Sequence, residues 1–169
     1  MAAQNKELII MVQINGLYET HLTVSNLEQS IDFYRDVVGL ELAHKIPARD
    51  VAFFWIGGRE RSMLGLWSIH SSPMQMKLHT AFQTSLEQVL LAPDYLRSKG
   101  VLPLNLSGNA EIDQPIVLPW MPAASVYFRD PDGHSLEYIA ILPEPPRPDL
   151  SATATYTEWR GLHQNTKPE

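Results

Sequence analysis

The sequence predicts an α+β fold in which two βαβββ modules form a cupped, barrel-like mixed sheet with helices on the outside. Three observations predict it. The succession of strand, helix and strands occurs twice along the 169 residues, and the motif Leu27-Glu28-Gln29 recurs as Leu86-Glu87-Gln88. In both copies the opening strand carries a histidine, His21 in the first copy and His79 in the second.

The first module opens with an alternating strand over residues 17–24. Ser25, followed three residues later by Glu28, is typical of a capping box, so we expect a helix to begin there. Gly39 is placed to end that helix. Three further strands are predicted over residues 40–46, 51–56 and 63–69.

The second module repeats this plan from residue 77, where a strand leads to a second capping box formed by Thr84 and Glu87. The helix is expected to run to about residue 99, with Gly100 as its stop. No clear pattern follows as far as residue 121. Two strands are then predicted over residues 123–129 and 134–142, joined by a type I turn over residues 130–133.

Domain boundaries follow from the repeat. We expect one domain over residues 1–143, with its modules at about 15–70 and 75–143, and a Pro-rich tail over residues 144–169. Tyr156 and Trp159 lie in this otherwise polar tail, which indicates either docking onto the body or a partner, or a frayed terminus.

The amino-acid composition limits the classes of partner and of catalytic group that the protein can use. The net charge of −6 and the absence of a Lys/Arg-rich stretch argue against a nucleic-acid partner. The chain has no cysteine, which excludes thiolate nucleophiles and Cys-bound zinc and favours a reducing compartment. The apolar stretch at residues 8–14 is too short to span a membrane. We therefore expect a soluble, cytoplasmic protein that binds neither nucleic acid nor membrane.

Strand alternation places titratable side chains on one face of several strands. His21 shares its face with Glu19 and Thr23, and Glu137 lies on a matching face of the last strand. Two imidazoles and one carboxylate are typical of a divalent-metal site with open coordination positions, so His21, His79 and Glu137 are the predicted ligands. The remaining histidines have no counterpart in the repeat and are predicted at the surface: His44, His70, His134 and His163.

At these motifs the chain resembles the vicinal oxygen chelate superfamily, which contains glyoxalase I, bleomycin- and fosfomycin-resistance proteins and extradiol dioxygenases. The resemblance extends over about residues 16–142 and is carried by residues 21–40, by the His79 strand and by residues 127–137. It implies modules paired around one divalent ion (Fe, Mn, Zn or Ni) that is held by His21, His79 and Glu137 and chelates two vicinal oxygens of a small-molecule substrate.

The resemblance also implies roles for residues near these ligands. Tyr127 matches an active-site tyrosine of the fosfomycin and dioxygenase branches and is the expected catalytic residue. Thr23 resembles a substrate-contacting threonine of the fosfomycin enzymes. Arg129 and Trp120 are expected to bind substrate as well, Trp120 from an apolar loop.

Two positions depart from the family pattern. Gly65 stands where glyoxalase I would need a fourth, carboxylate ligand, so three-ligand relatives of the fosfomycin-thiol-transferase or dioxygenase type fit better. Val117 stands near the place of the lysine that grips the phosphonate in fosfomycin enzymes, which favours a more hydrophobic substrate.

Two functions remain open at this point. One is a metal-dependent lyase, transferase or dioxygenase of this superfamily. The other is a non-catalytic binding or sequestering protein of the bleomycin-resistance type, which the apolar Trp55, Trp67 and Trp120 would suit. In either case we expect a homodimer, whose modules pair within one chain or between two.

Overall fold

The structure is a computed structural model that describes residues 15–70 and 76–164. These residues form two mixed sheets, of four and five strands, accompanied by three α-helices. Neither sheet closes on itself. The expected α+β class is confirmed, and so is its division into two modules of the same topology.

The first module builds the four-stranded sheet in the order β1-β4-β3-β2. Its first strand runs parallel to its last, and its other neighbours are antiparallel. Its elements are β1 (Glu19–Val24), α1 (Leu27–Asp36), β2 (Glu41–Ile46), β3 (Val51–Ile56) and β4 (Ser62–Ser68).

The second module repeats this arrangement in the order β5-β8-β7-β6, again with its first and last strands parallel. The repeated order confirms the duplication predicted from the sequence. Its elements are β5 (His79–Gln83), α2 (Leu86–Ser98), β6 (Ile116–Leu118), β7 (Ala123–Arg129) and β8 (Ser135–Ile141).

Both main helices begin at the repeated Leu-Glu-Gln motif, but the capping residues differ from the prediction by one position. Asn26 caps α1 and Ser85 caps α2, each side chain accepting a hydrogen bond from a backbone N–H three residues later. Ser25 and Thr84 are therefore not the caps. The backbone N–H of Ser25 instead donates to the Asp132 carboxylate at 2.8 Å, which ties it to the second module.

β6 was not predicted, because three residues are too few to give a periodic pattern. It lies between β7 and a short strand, β9 (Ala154–Thr155), which leads into α3 (Tyr156–Gln164). Both of these elements fall within the predicted Pro-rich tail. The Trp159 side chain of α3 is completely buried, so this segment docks onto the body.

The core lies between the helices and one face of each sheet. Leu22, Val24 and Phe54 supply this layer in the first module, and Val126, Phe128 and Leu136 supply it in the second. We call the opposite face of each sheet, turned away from the helices, its distal face. Because side chains alternate along a strand, the distal faces carry His21, His79, Tyr127 and Glu137.

His134, predicted at the surface, is only 1% exposed and links the two modules. Its Nε2 lies 2.7 Å from the carbonyl oxygen of Thr23, and its Nδ1 accepts from the backbone N–H of Leu78 at 3.0 Å. A carbonyl oxygen can only accept, so Nε2 carries the proton. His163 is also partly buried, with its ring centroid 4.3 Å from that of Trp159. His44 and His70 are exposed as predicted. None of the described helices has the length and apolarity needed to cross a bilayer.

Candidate metal site

The distal face of the second sheet brings His79 and Glu137 together. They lie on the neighbouring parallel strands β5 and β8, where Ala81 is the register partner of Glu137. His79 Nε2 is 3.1 Å from Glu137 Oε2. Tyr127 is the direct cross-strand partner of Glu137 on β7, and its ring centroid is 5.9 Å from that of His79. Three strands thus place an imidazole, a carboxylate and a phenol side by side.

The hydrogen bonding of His79 shows what its free nitrogen faces. Nδ1 lies 3.1 Å from the carbonyl oxygen of Ser135, and because this oxygen can only accept, Nδ1 carries the proton. A neutral imidazole in this tautomer presents a lone pair at Nε2, directed at the Glu137 carboxylate, which is also an acceptor. A proton or a metal cation must lie between the two groups for the contact to be favourable. A ring N–H held by a backbone carbonyl is also the usual arrangement of metal-ligating histidines.

Burying the Glu137 carboxylate in this position costs folding free energy. Its side chain is 5% exposed, and its Oε1 is buried and accepts no hydrogen bond from any of the residues that the structure describes. A buried carboxylate oxygen without a partner is expensive unless a cation or a donor reaches it. The donor set of Glu137 and His79 therefore fits a divalent cation.

Tyr127 lies in the same buried environment, being 5% exposed. Burial raises the pKa of Tyr127 above its usual range, and the neighbouring Glu137 carboxylate raises it further. The phenol therefore keeps its proton at neutral pH and acts as a hydrogen-bond donor.

The distal face of the first sheet carries His21 among aromatic rings. The His21 ring centroid is 5.3 Å from that of Trp67 and 6.0 Å from that of Phe53. The guanidinium of Arg49 lies over the Trp67 ring at 4.7 Å. Glu19, on the same face of β1, places its Oε1 2.5 Å from His21 Nε2. His21 and Glu19 thus form a second imidazole–carboxylate pair.

Gly65 is the register partner of His21 on β4. A Cβ atom at Gly65 would lie 2.2 Å from His21 Cδ2, which is closer than any real contact of this kind. The His21 ring therefore fills the space that a side chain from this position of β4 would need. Gly65 thus permits the observed position of His21, and it supplies no ligand itself.

The predicted triad is divided between the two modules. Across residues 15–70 and 76–164 there is no group of three His, Cys, Asp or Glu side chains close enough to hold one ion. His79 and Glu137 are paired in the second sheet, and His21 is paired with Glu19 in the first.

The expected substrate residues occupy separate places. Thr23 lies on the distal face of β1, where its register partner is Trp67. Arg129 ends β7, and its guanidinium packs against Gly108. Trp120 is 65% exposed in the loop before β7. Val117, near the position of the phosphonate-binding lysine of the fosfomycin enzymes, is completely buried in the helix-facing core.

A cavity of about 1140 Å³ lies between the two modules. Its lining includes Tyr18, Phe82, Tyr95 and Tyr138, and of the candidate ligand pairs it reaches Glu19 alone. The lining of this cavity therefore does not include the His79–Glu137 pair.

Strand alternation predicts the face on which Glu19 lies, but Glu19 was not among the predicted ligand or substrate residues. Alternation alone places Glu19 beside His21, so the signal was present in the Glu-Thr-His spacing of residues 19–21. The rings of Phe53 and Trp67 around His21 depend on the register of three strands, which the sequence does not state.

Comparison with known proteins agrees with the fold and the repeat. Residues 14–138 match the model of the Glyoxalase/Bleomycin resistance protein/Dioxygenase superfamily. The chain is 32% identical over 117 residues to metallothiol transferase FosB of Lysinibacillus sphaericus (strain C3-41), covering 69% of this chain and 75% of that protein.

Two solved structures extend the comparison. An integron cassette protein, HFX_CASS4, from the mobile metagenome of the Halifax Harbour sewage outfall has a TM-score of 0.64 at 34% identity, covering 76% of this chain and all of that one (100%). Lactoylglutathione lyase from Agrobacterium tumefaciens has a TM-score of 0.61 at 26% identity, covering 75% of this chain and 94% of that one. The chain therefore belongs to the Glyoxalase/Bleomycin resistance protein/Dioxygenase superfamily.

Proposed function

We propose that this chain is a divalent-metal-dependent enzyme of the vicinal oxygen chelate type, with His21, His79 and Glu137 as metal ligands and Tyr127 as the catalytic residue. The observation that carries the proposal is the His79–Glu137 pair. His79 Nε2 and Glu137 Oε2 face each other at 3.1 Å, and the buried Oε1 of Glu137 has no hydrogen-bond partner among the described residues. A bound cation would satisfy all three atoms. The relationship to a metallothiol transferase supports the same reading.

The chemistry divides between the ion and the protein. A bound divalent ion would supply a Lewis acid for negative charge that develops on substrate oxygens. The carbonyl of Ser135 holds His79 in the tautomer that leaves Nε2 free. Tyr127, neutral because burial raises its pKa, is placed to donate a proton or a hydrogen bond to the substrate. Thr23 and Arg129 would bind polar groups of the substrate, and Trp120 an apolar one.

The substrate class follows from the residues around the ligands. All three residues of β6 are apolar, so this strand presents no cation for a phosphonate. Phe53 and Trp67 surround His21 with aromatic surface. These features support a small, largely apolar substrate with two adjacent oxygens, used in a thiol-transfer or dioxygenase reaction.

We further propose that the active form is a homodimer in which one chain supplies His21 and its partner supplies His79 and Glu137. Within the described part of one chain no three ligand-type residues are grouped, although both distal faces carry them. The Nε1 of Trp67, on the distal face of the first sheet, and the Oε1 of Glu137, on that of the second, are buried without a hydrogen-bond partner among the described residues. Apposition of these faces between two chains would bring the donor groups together.

Metal analysis of protein purified without chelator, followed by thiol-transfer and catechol-cleavage assays, tests the proposal. We expect one divalent ion per predicted site and turnover in one of the two assays. His79→Ala and Glu137→Ala should each lose metal and turnover together. Wild-type protein that binds no divalent ion at micromolar concentration would contradict the proposal.

The aromatic rings around His21 support a second candidate, a protein that sequesters a small molecule without chemistry. In that case Phe53 and Trp67 would stack on the ligand, and His79 and Glu137 would have no metal to hold. Tight binding of an aromatic ligand that is unchanged in Glu137→Ala and independent of added metal would favour this candidate.

A further inference from the structure

We propose that Glu19 is a fourth ligand of the metal site, so that each module contributes one histidine and one carboxylate. The inference rests on the proposed function and specifies its ligand set. It assigns to β1 the second carboxylate that β4 lacks, because Gly65 has no side chain to offer.

The geometry of β1 supports this role. Glu19 and His21 are two residues apart on one strand, so their side chains leave the same face of the sheet. Glu19 Oε1 and His21 Nε2 converge to 2.5 Å. Two donor atoms of one ion, with ligand bonds of about 2.1 Å, lie about 3 Å apart. The observed separation is about 0.5 Å shorter than this, so the two donor atoms would move apart slightly to hold an ion.

The position opposite His21 explains why the carboxylate comes from β1. The His21 ring lies over Gly65, and even a methyl group there would meet the ring at 2.2 Å. A ligand from that position of β4 and the observed His21 orientation are therefore mutually exclusive. Glu19 precedes His21 by two residues on the same strand, and its register partner on β4 is Met63.

The two imidazole–carboxylate pairs have the same chemistry. In the first sheet the pair is His21 Nε2 and Glu19 Oε1, and in the second it is His79 Nε2 and Glu137 Oε2. The second pair carries an independent observation that fits a cation, because Glu137 Oε1 is buried and makes no hydrogen bond with the described residues. Two such pairs on the two distal faces form a two-histidine, two-carboxylate set once the faces meet.

The chemical consequence would be an electrically neutral site when a divalent ion is bound. Two carboxylates would balance the charge of a divalent cation, and mixed imidazole and carboxylate donors would suit Mn²⁺, Fe²⁺ or Ni²⁺. Such an ion would still need coordination positions for the two vicinal oxygens of a substrate beyond those that the four protein ligands fill.

The experiment compares metal affinity in full-length wild type, Glu19→Gln, Glu19→Ala, His79→Ala and the control Glu87→Gln, which removes an exposed carboxylate on α2. Dissociation constants for Mn²⁺ and Ni²⁺ are measured by competition with a chromogenic chelator. Metal-free melting temperatures check the fold, and they should match wild type because the Glu19 side chain is 34% exposed. We expect Glu19→Gln and Glu19→Ala to lose at least about 100-fold in affinity, the upper range of effects from residues that only orient a ligand.

Glutamine separates the ligand role from a positioning role. Its amide oxygen still accepts a hydrogen bond from His21 but carries no charge, so it is a weaker ligand for a divalent ion than a carboxylate is. Wild-type affinity in both Glu19→Gln and Glu19→Ala, with affinity lost in His79→Ala, would overturn the inference and leave the proposed function intact. If the wild-type protein itself binds neither ion, the proposed function is wrong, and so is the inference that depends on it.

Discussion

At the scale of single residues, Glu137 shows how burial and function are linked. A buried carboxylate is destabilising unless its charge is matched, and only the Oε2 of Glu137 has a hydrogen-bond partner among the described residues. A neutral His79 ring cannot supply that match, because in this form its single proton lies on Nδ1, so a proton on Nε2 or a bound cation is needed. The local cost is therefore explained if a cation is the missing partner.

Tyr127 is predicted to matter for turnover and little for metal affinity. Tyr127→Phe keeps the ring next to His79 and removes the hydroxyl, which lies close to the Glu137 carboxylate. We expect kcat to fall by about 10²–10⁴-fold, the range for loss of a general acid. Metal content, measured by elemental analysis, should stay at the wild-type value. A wild-type kcat in Tyr127→Phe on the true substrate would show that the hydroxyl has no chemical role.

Gly65→Ala is predicted to weaken metal binding by displacing His21. The new methyl group would lie 2.2 Å from His21 Cδ2, so the ring must rotate away from its place beside Glu19. We expect the Ni²⁺ dissociation constant to rise by about 10–100-fold, as for other changes that disturb ligand orientation. Gly161→Ala is the control, because a Cβ atom there meets nothing within 4 Å. Equal affinity in the two variants would show that the position of His21 is irrelevant to the metal.

At the scale of elements, the turn between β7 and β8 fastens the second module to the first. Asp130 accepts from the Tyr34 hydroxyl at 3.0 Å and from the His134 backbone N–H at 2.8 Å. Asp132 accepts from the backbone N–H of Ser25 at 2.8 Å, and His134 bridges to Thr23. The Asp-Pro-Asp-Gly-His sequence of residues 130–134 is therefore an inter-module clamp as well as a hairpin turn.

Asp130 is predicted to make stability fall as pH rises from about 4 to 7. Burial raises the pKa of the Asp130 carboxyl above its unfolded value of about 3.9, although the hydrogen bond from the His134 backbone N–H opposes the shift. The folded state thus binds this proton more tightly. Its stabilising contribution is complete below the unfolded pKa and is lost as pH rises through the folded pKa.

Urea unfolding of wild type and Asp130→Asn at pH 4 and pH 7 measures the effect. Asparagine does not titrate, so the free energy of unfolding of wild type should decline relative to the variant between these pH values. A difference between the two proteins that is the same at both pH values would contradict the prediction.

The C-terminal helix is predicted to be part of the stable fold. Trp159 is completely buried in the core that also contains Val117 of β6. Trp159→Ala should lower the free energy of unfolding by about 3–5 kcal/mol, measured by urea unfolding. Trp120→Ala, at a position that is 65% exposed, is the matched control and should change it by less than about 0.5 kcal/mol. Equal small effects would show that α3 does not contribute to the core.

At the scale of the whole molecule, sequence periodicity predicted what repeats and missed what is short or depends on tertiary contacts. β3 and β7 were predicted to the residue, because alternation and turn glycines define them. β6 and β9 are three and two residues long and exist through pairing with their neighbours. His134 was misjudged because its two partners, Thr23 and Leu78, come from distant segments.

The candidate site was predictable in part for the same reason. Strand alternation identifies the faces of Glu19, His21 and Glu137, and the register confirms those faces. Strand alternation does not indicate that within one chain His21 pairs with Glu19 and His79 pairs with Glu137. That arrangement depends on how the two sheets pack, which local sequence patterns do not specify.

The measurement that tests the central claim most directly is complementation between His21→Ala and His79→Ala. Each variant alone should lose metal binding. After the two are unfolded, mixed in equal amounts and refolded together, about half of the dimers are mixed, and each mixed dimer holds one intact site. We predict that metal binding returns to about a quarter of the wild-type value. No recovery in a mixture that has demonstrably exchanged subunits would contradict a site shared between two chains.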